Sequence, residues 1–543
     1  MKKIALSVAF MMLLQLAFAG GILTNYNQSA QYTRMLSRNA SLDIDAVFYN
    51  PAGLIKLEDG WHFYFSSQTI WQDREITSGF PLLNNDTYKG KTFAPVFPDF
   101  YTTYKKDKWA FSVGVAPVGG GGSAEFKTGL PAFEIPISQT RTLLAGLGVT
   151  GYDANIYFNG SSIIWGIQFG ATYAINDQLS VYGGVRWMPA KNVYDGYIKN
   201  IQLQVGSNML SASEYLYQNS AGLEILANMP SALEPIINQG GGAYTLSQLE
   251  GAGFINATQK AGVEAGLTLM GLPQGQIDLM TLNQINGAYV TASPGFQSQA
   301  DQLHNAGVNM EDKVVSTEQT GNGFIPVVGV NYSPNDDWNF AVKYEMKTKL
   351  TLKNKPKAES NYDLWGPGVS SDIPAILSIG VGYKGLDWLE AQLSYNLYFD
   401  KGVDWGGNVN DIAVWSEVDP TRIRHREIDN NSYEIALGLQ FNVSDNFGVS
   451  LGGLSSKTGV NASYQNDLSF SNSSYTLGGG IVWGITDKIK LDLGVSDTFY
   501  QDDKVTFSYP GYPDLSGNSI SSYENNYAKT TFVMSAGLTF SIF

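Results

Sequence analysis

Trp338, Phe340, Val342, Tyr344 and Met346 are apolar, and Asn339, Ala341, Lys343, Glu345 and Lys347 alternate with them. The same two-residue period recurs at Leu389, Ala391, Leu393, Tyr395, Leu397 and Phe399, and again at Phe532, Met534, Ala536, Leu538, Phe540 and Ile542. Side chains two apart share one face of an extended strand, so each segment has an apolar face and a polar one. A soluble sandwich buries the apolar face, whereas a membrane barrel turns it to lipid; alternation alone serves both.

The connections discriminate. Short polar turns occur at KKDK (105–108), INDQ (175–178), SPNDD (333–337), KGLD (384–387), NVSDN (442–446) and ITDK (485–488), and much longer segments lie between them. Short turns at one end and long loops at the other are the outer-membrane asymmetry. Six turns join twelve strands; a first strand near 61–72 and a last near 528–543 bring the count to 14. An even count with both termini on the periplasmic side suits a closed bacterial barrel, and a soluble protein has no reason to obey it. Tyr101, Tyr104 and Trp109, and Trp388, Tyr395 and Tyr398, cluster near strand ends. They suit interfacial girdles, although aromatic β-propensity alone also places such residues in strands.

The N-terminus supplies the compartment. Lys2 and Lys3 precede an apolar run from Ile4 to Leu16 and an Ala-Phe-Ala site at Ala17–Ala19, which read as a cleavable export signal over residues 1–19. The chain has no cysteine, which excludes a lipoprotein anchor, disulfides and thiol chemistry. Its 59 glycines in 543 residues exceed the usual share of about 7%. The net charge of −15 argues against nucleic acid as a partner.

Two segments break the strand pattern. Residues 20–60 lack alternation and precede the barrel of residues 61–543. A barrel of this size has a lumen its own side chains cannot fill, so this segment is expected to plug it as a hatch. Residues 208–320 show apolar spacing nearer 3.6 and Ser or Thr before several runs, which predicts short amphipathic helices inserted in one extracellular loop. A loop with its own structure usually carries function, but it can also be a decorative surface domain.

DAVFYNPAGL at 45–54, VGVAPVGGG at 113–121 and DIPAILSIGVGYKGLDWLEAQLSYNLY at 372–398 together resemble the FadL/TodX family of outer-membrane transporters for long-chain fatty acids and other hydrophobic compounds. That resemblance implies a 14-stranded antiparallel transmembrane β-barrel with an N-terminal luminal hatch, here carrying a helical extracellular insert. It implies hatch residues at Asn50, Pro51 and Ala52, capture of an amphipathic ligand at the extracellular loops, and sideways exit where the third strand kinks. Ala116, Pro117, Gly119 and Gly120 occupy that place, and a proline inside a strand marks an edge or a bulge. The same residues could simply end the strand.

A hydrophobic ligand needs an apolar groove with one or two polar anchors. Leu223, Leu226, Met229, Leu269, Met270 and Leu279 supply apolar surface in the insert, or pack its helices together. Arg186 and Lys343 are candidate carboxylate anchors, with pairing to lumen acids such as Glu345, Glu390 or Glu434 as the alternative. Arg422, Arg424 and Arg426 could meet lipopolysaccharide phosphate or loop acids. His62, His304 and His425 are widely spaced, and no nucleophile motif, phosphate loop or metal-ligand pattern is present, so neither an enzyme nor a cofactor is expected. The resulting expectation is a monomer in a Gram-negative outer membrane that takes up fatty-acid-like molecules passively, among bilayer lipids and lipopolysaccharide. A general diffusion porin and a surface adhesin are the alternatives.

Overall fold

The computed structural model describes residues 24–26, 28–361, 368–403, 405–407, 428–462 and 464–542. The export signal, the Arg422, Arg424 and Arg426 row and Phe543 lie outside the described residues.

Fourteen strands form the wall: β1 (Gly60–Ser78), β2 (Thr87–Lys106), β3 (Trp109–Phe126), β4 (Val149–Ala174), β5 (Leu179–Val205), β6 (Lys313–Tyr332), β7 (Trp338–Glu345), β8 (Ile376–Leu386), β9 (Leu389–Tyr398), β10 (Ser432–Ser444), β11 (Phe447–Lys457), β12 (Ser474–Thr486), β13 (Ile489–Tyr500) and β14 (Ser519–Ile542). Neighbours in this order run antiparallel. The wall closes where β1 meets β14, in continuous register from Trp61↔Ile542 to Ser78↔Asn525. Each of the six short turns joins two consecutive strands. Closure removes the sheet edges, which is the condition for strands to cross a bilayer.

Alternation decides which face meets lipid. On β14, Phe532, Met534, Leu538, Phe540 and Ile542 are exposed, whereas Val533, Ser535, Thr539 and Ser541 are buried toward the lumen. On β7, Trp338, Phe340, Val342 and Tyr344 face outward, and Asn339, Ala341, Lys343 and Glu345 face in. An apolar exterior around a polar interior is the arrangement of an outer-membrane barrel, and this barrel is one. Near the short turns, exposed Trp109 packs tilted against Tyr173 across strands at 4.7 Å, and exposed Trp338 against Tyr383 at 4.8 Å. Tyr101 and Tyr398 do not join this girdle. Their strand parity turns both inward, where Tyr101 Oη donates to Gln28 O at 2.6 Å and Tyr398 Oη to Glu434 at 2.7 Å.

The chain forms two compact units, and the smaller comprises 136–155 and 199–312. Within 199–312 its helices run Ala212–Ala227, Met229–Asn238, Leu246–Gly251, Ala257–Leu269, Gln274–Ile277 and Leu282–Asn309. Thr245, Asn256 and Thr281 cap three of them, each with a Gln three residues on that closes the reciprocal capping box. The last helix is a single run of 28 residues rather than a short piece, and it contains Pro294. Helix ends at Asn309, and Lys313–Tyr332 is wall strand, so 313–320 belong to the barrel rather than to the helical insert.

Candidate functional site

The segment 24–57 contributes a helix α1 (Ala30–Met35), a turn of helix α2 (Ala46–Tyr49) and a 3₁₀ turn at Pro51–Lys56. Ser29 caps α1, accepting from the Tyr32 N–H at 3.0 Å. All residues of α1 and α2 are buried, so the segment is packed inside the wall rather than extended as a tail. Two glycines show how closely it packs. A side-chain carbon on Gly438 of β10 would stand 2.3 Å from the Met35 carbonyl oxygen, and on Gly452 of β11, 2.1 Å. No residue but glycine lets α1 lie flat against that wall.

Asn50, Pro51 and Ala52 each meet a different strand. Asn50 Nδ2 donates to Asn331 Oδ1 of β6 at 2.7 Å and to Ser41 O within the hatch at 3.0 Å. Thr172 Oγ1 of β4 donates to Pro51 O, and Ser180 Oγ of β5 to Ala52 O, both at 2.7 Å. Wall hydroxyls thereby bond to hatch carbonyls at the start of the 3₁₀ turn.

Arg186 and Lys343 converge on one acid. Arg186 reaches Glu345 at 2.5 Å and Lys343 reaches it at 2.8 Å, with all three side chains buried. Both cations also hold α2. Each lies 4.8 Å from the Phe48 ring centroid, and Lys343 Nζ donates to Phe48 O at 2.7 Å. Gln168 bridges the set, accepting from Arg186 and donating to Val47 O at 2.7 Å. The pairing with Glu345 weighed from sequence is therefore present, and its further tie to the hatch is not visible in sequence spacing. Arg34, unremarkable in sequence, anchors α1 through Asp492 at 2.8 Å and Gln440 at 2.6 Å.

The wall ladder is interrupted between β2 and β3. The β2–β3 ladder pairs Thr92 with Ala124 and resumes only at Phe100 with Val115. Between them β3 bulges twice against β4, at Pro117/Gly119 and at Gly120/Gly122. Gly120 has φ +68°, and a side chain there would meet the Ser162 backbone oxygen at 2.2 Å. Pro95, Pro98 and Pro117 flank the break and have no N–H to give a ladder. Pro95 and Pro98 escaped the sequence reading, although two prolines inside one strand are a signal. A pocket of about 400 Å³ lies at the break, lined by Ala94, Val96, Phe97, Pro117, Ile163 and Trp165 among others. Ala116 and Val118 beside it are buried. Asn25 of the hatch pairs with the kinked strand: its N–H donates to Val118 O at 2.8 Å and its amide to Gly120 O.

Inside the barrel a cavity of about 60 Å³ is lined by Asn25, Tyr32, Leu36, Ile70, Leu454 and Val533 among others, and by Gly120. Asn25 and Gly120 thus border the cavity, while Pro117 and Gly122 border the pocket at the break. In the insert, Leu226 and Met229 belong to its core and Leu223 and Met270 pack against it. Leu269 and Leu279 are exposed. No metal-ligating cluster occurs among the described residues.

No family profile matches the chain, and no curated protein matches it by sequence. By structure it is similar to a FadL homologue from Pseudomonas aeruginosa, at 12% identity and a TM-score of 0.53, covering 96% of this chain and 99% of that one. It is also similar to the toluene transporter TodX from Pseudomonas putida, at 11% identity and a TM-score of 0.50, with 96% and 99% covered. The chain has the fold of these proteins: a hatch-filled 14-stranded barrel of the FadL type.

Proposed function

We propose that this barrel carries hydrophobic small molecules passively across the outer membrane, releasing them sideways into the bilayer. The observation that carries the reading is the β2–β3 break, where an apolar-lined pocket sits at a gap in the ladder and Gly120 of the same strand lines an internal cavity. A wall exit lets a hydrophobic molecule reach lipid without crossing the aqueous periplasm. The fold is shared with a toluene transporter and a FadL homologue, which supports the ligand class of fatty acids and similar compounds. Arg186 and Lys343 hold the hatch through Glu345 and Phe48, and Asn50, Pro51 and Ala52 pin its end to the wall. Capture falls to the long connections, and the chain works as a monomer among lipids and lipopolysaccharide.

The competing porin reading needs an open lumen, and residues 24–57 fill it with two buried helices. Planar-bilayer recording combined with uptake of labelled oleate and toluene by cells expressing the chain separates the two. Uptake with no steady ion current is expected. A steady current through the purified wild-type protein would reject the channel proposed here.

A further inference from the structure

Away from the short turns, the outward face of β5 and β6 changes character. Trp187 of β5 stands opposite Phe324 of β6, both exposed, and they close the apolar band on these strands. Four residues farther on, about 13 Å along the strand, Lys191 stands opposite Thr320. Thr320 in turn pairs with Lys353 of the short strand Thr351–Pro356 that follows β7. Lys191 and Lys353 thus flank Thr320 two strands apart, about 10 Å. Leu350 and Leu352 of that segment are buried, and Lys349, Lys353 and Lys355, which alternate with them, are exposed on the outer face. β5 is 27 residues long, well beyond the roughly 9–11 that cross a bilayer, so its outer part stands clear of the hydrocarbon.

With Lys357, five lysines share this patch of outer wall, and two acids answer them. Glu318, which faces Lys355 across the strands, reaches Lys191 at 2.7 Å, and Asp195 reaches Lys357 at 3.5 Å. Among the described residues no ion pair engages Lys349, Lys353 or Lys355. Five cations against two acids leave three positive charges, on a chain whose net charge is −15. The same level on β1 and β2 is balanced. Beyond exposed Trp71 and Phe93, Asp73 stands opposite Lys91 and Glu75 opposite Lys89, the latter pair 3.2 Å apart. The excess on β5, β6 and the segment after β7 is therefore a local feature of the wall.

We propose that Lys191, Lys349, Lys353 and Lys355 hold the phosphates of a phosphorylated glycolipid of the outer leaflet against the outside of the barrel. The patch sits at the end opposite the short periplasmic turns, which is the outer-leaflet side. Directly below it Val185, Trp187, Phe324, Val328, Tyr344 and Met346 are exposed, and acyl chains lie along them. Lysine stems follow the wall and carry their ammonium groups to the headgroup layer. Three surplus charges suit a head with two phosphates better than one with a single phosphate. The bound lipid fastens the protruding parts of β5 and β6 to the leaflet. The site is on the lipid side of the wall, apart from the lumen, and it stands whether or not the barrel carries hydrophobic molecules.

The test uses the purified full-length protein in a neutral maltoside detergent and three probes: diphosphoryl lipid A, the same lipid stripped of its phosphates, and inorganic pyrophosphate. Binding is read by native mass spectrometry. Wild-type protein is expected to bind diphosphoryl lipid A about tenfold or more tighter than the stripped lipid, by a margin that shrinks as salt is raised. A Lys349→Gln/Lys353→Gln/Lys355→Gln variant should lose the preference. A Lys89→Gln/Lys91→Gln variant, altered at equally exposed lysines of β2, should keep it. Heat-modifiable migration on gels verifies that each barrel is folded. Should the triple variant fail to fold, Lys353→Gln alone decides, with part of the preference expected to go. Equal binding of the two lipids, a full preference retained in the folded lysine variant, or an equal loss in the β2 variant overturns the site. Pyrophosphate bound as tightly as diphosphoryl lipid A overturns the lipid assignment, and binding of no probe overturns the proposal outright.

Discussion

Replacing Lys343 by Met isolates what the lumen cluster does for the hatch. The Arg186–Glu345 pair survives at 2.5 Å, so one cation still faces one acid and no uncompensated charge is left in the wall. Three contacts to the hatch are lost: the hydrogen bond to Phe48 O at 2.7 Å and the approaches to the Phe48 and Tyr26 rings at 4.8 and 5.1 Å. A hydrogen bond from a charged group contributes about 1.5–3 kcal/mol, and each cation–ring contact about 0.5–2. The methionine sulfur restores part of the ring contact, about 0.3–1.5 kcal/mol. Only the Phe48 bond and ring contact act on α2, and together, less the sulfur contact, they leave a central net loss of about 2–3 kcal/mol there, which raises its local opening about 30- to 150-fold. The amides of Val47, Phe48, Tyr49 and Asn50 are bonded to the carbonyls of Ile44, Asp45 and Ala46 and report that opening. Hydrogen exchange read by mass spectrometry should show faster exchange over 46–50 by that factor, with the β7 and β8 ladders unchanged. Unaltered exchange in the hatch, or equal loss along the wall, would refute the assignment of Lys343 to hatch retention.

Two further perturbations probe the shell. Leu538 is exposed on the lipid face of β14, and Leu538→Arg should lower barrel stability in vesicles by about 2–4 kcal/mol if it lies near the bilayer midplane, read from denaturant midpoints. An unchanged midpoint would contradict the inside–outside assignment. Asp467, in the connection between β11 and β12, is pushed up to about 6 by burial, against hydrogen bonds from the Ala132 N–H, Tyr527 and Asn525 that favour its ionised form. Its folded-state value exceeds the unfolded one of 3.8, so its contribution is fully present below that value and is lost as pH rises through about 6. Asp467→Asn should flatten the stability profile between pH 4 and 6, by about 3 kcal/mol across the range; an identical profile in the variant would remove Asp467 as the cause.

The barrel was legible in sequence because strand period, turn chemistry and parity are local. Trp338–Met346 needed no knowledge of its neighbours to be assigned an apolar face, and Ser333–Asp337 announced its turn. Tyr101 and Tyr398 show the limit: aromaticity suggested a girdle, but register places a side chain on one face or the other, and both point inward. The helical period marked Leu223 and Leu226 as one apolar surface without saying what covers it; the insert's own helices do. Least legible was the hatch. Arg34 meets Asp492 across a sequence separation of 458, and Asn50 meets Asn331 across 281. The excess of glycine was visible, but its use was not: at Gly438 and Gly452 the missing side chain is the space α1 occupies.

The central claim, exit through the wall, has a direct test because the chain contains no cysteine of its own. A Cβ on Gly122 lies 3.9 Å from that of Ala94 across the break, within the span of a disulfide. In an Ala94→Cys/Gly122→Cys variant, oxidation staples β2 to β3 and reduction frees them, with the reduced form as the control for strain at Gly122. Uptake of labelled oleate or toluene should stop on oxidation and return on reduction. Uptake by the fully oxidised variant at the reduced variant's rate would contradict a lateral exit.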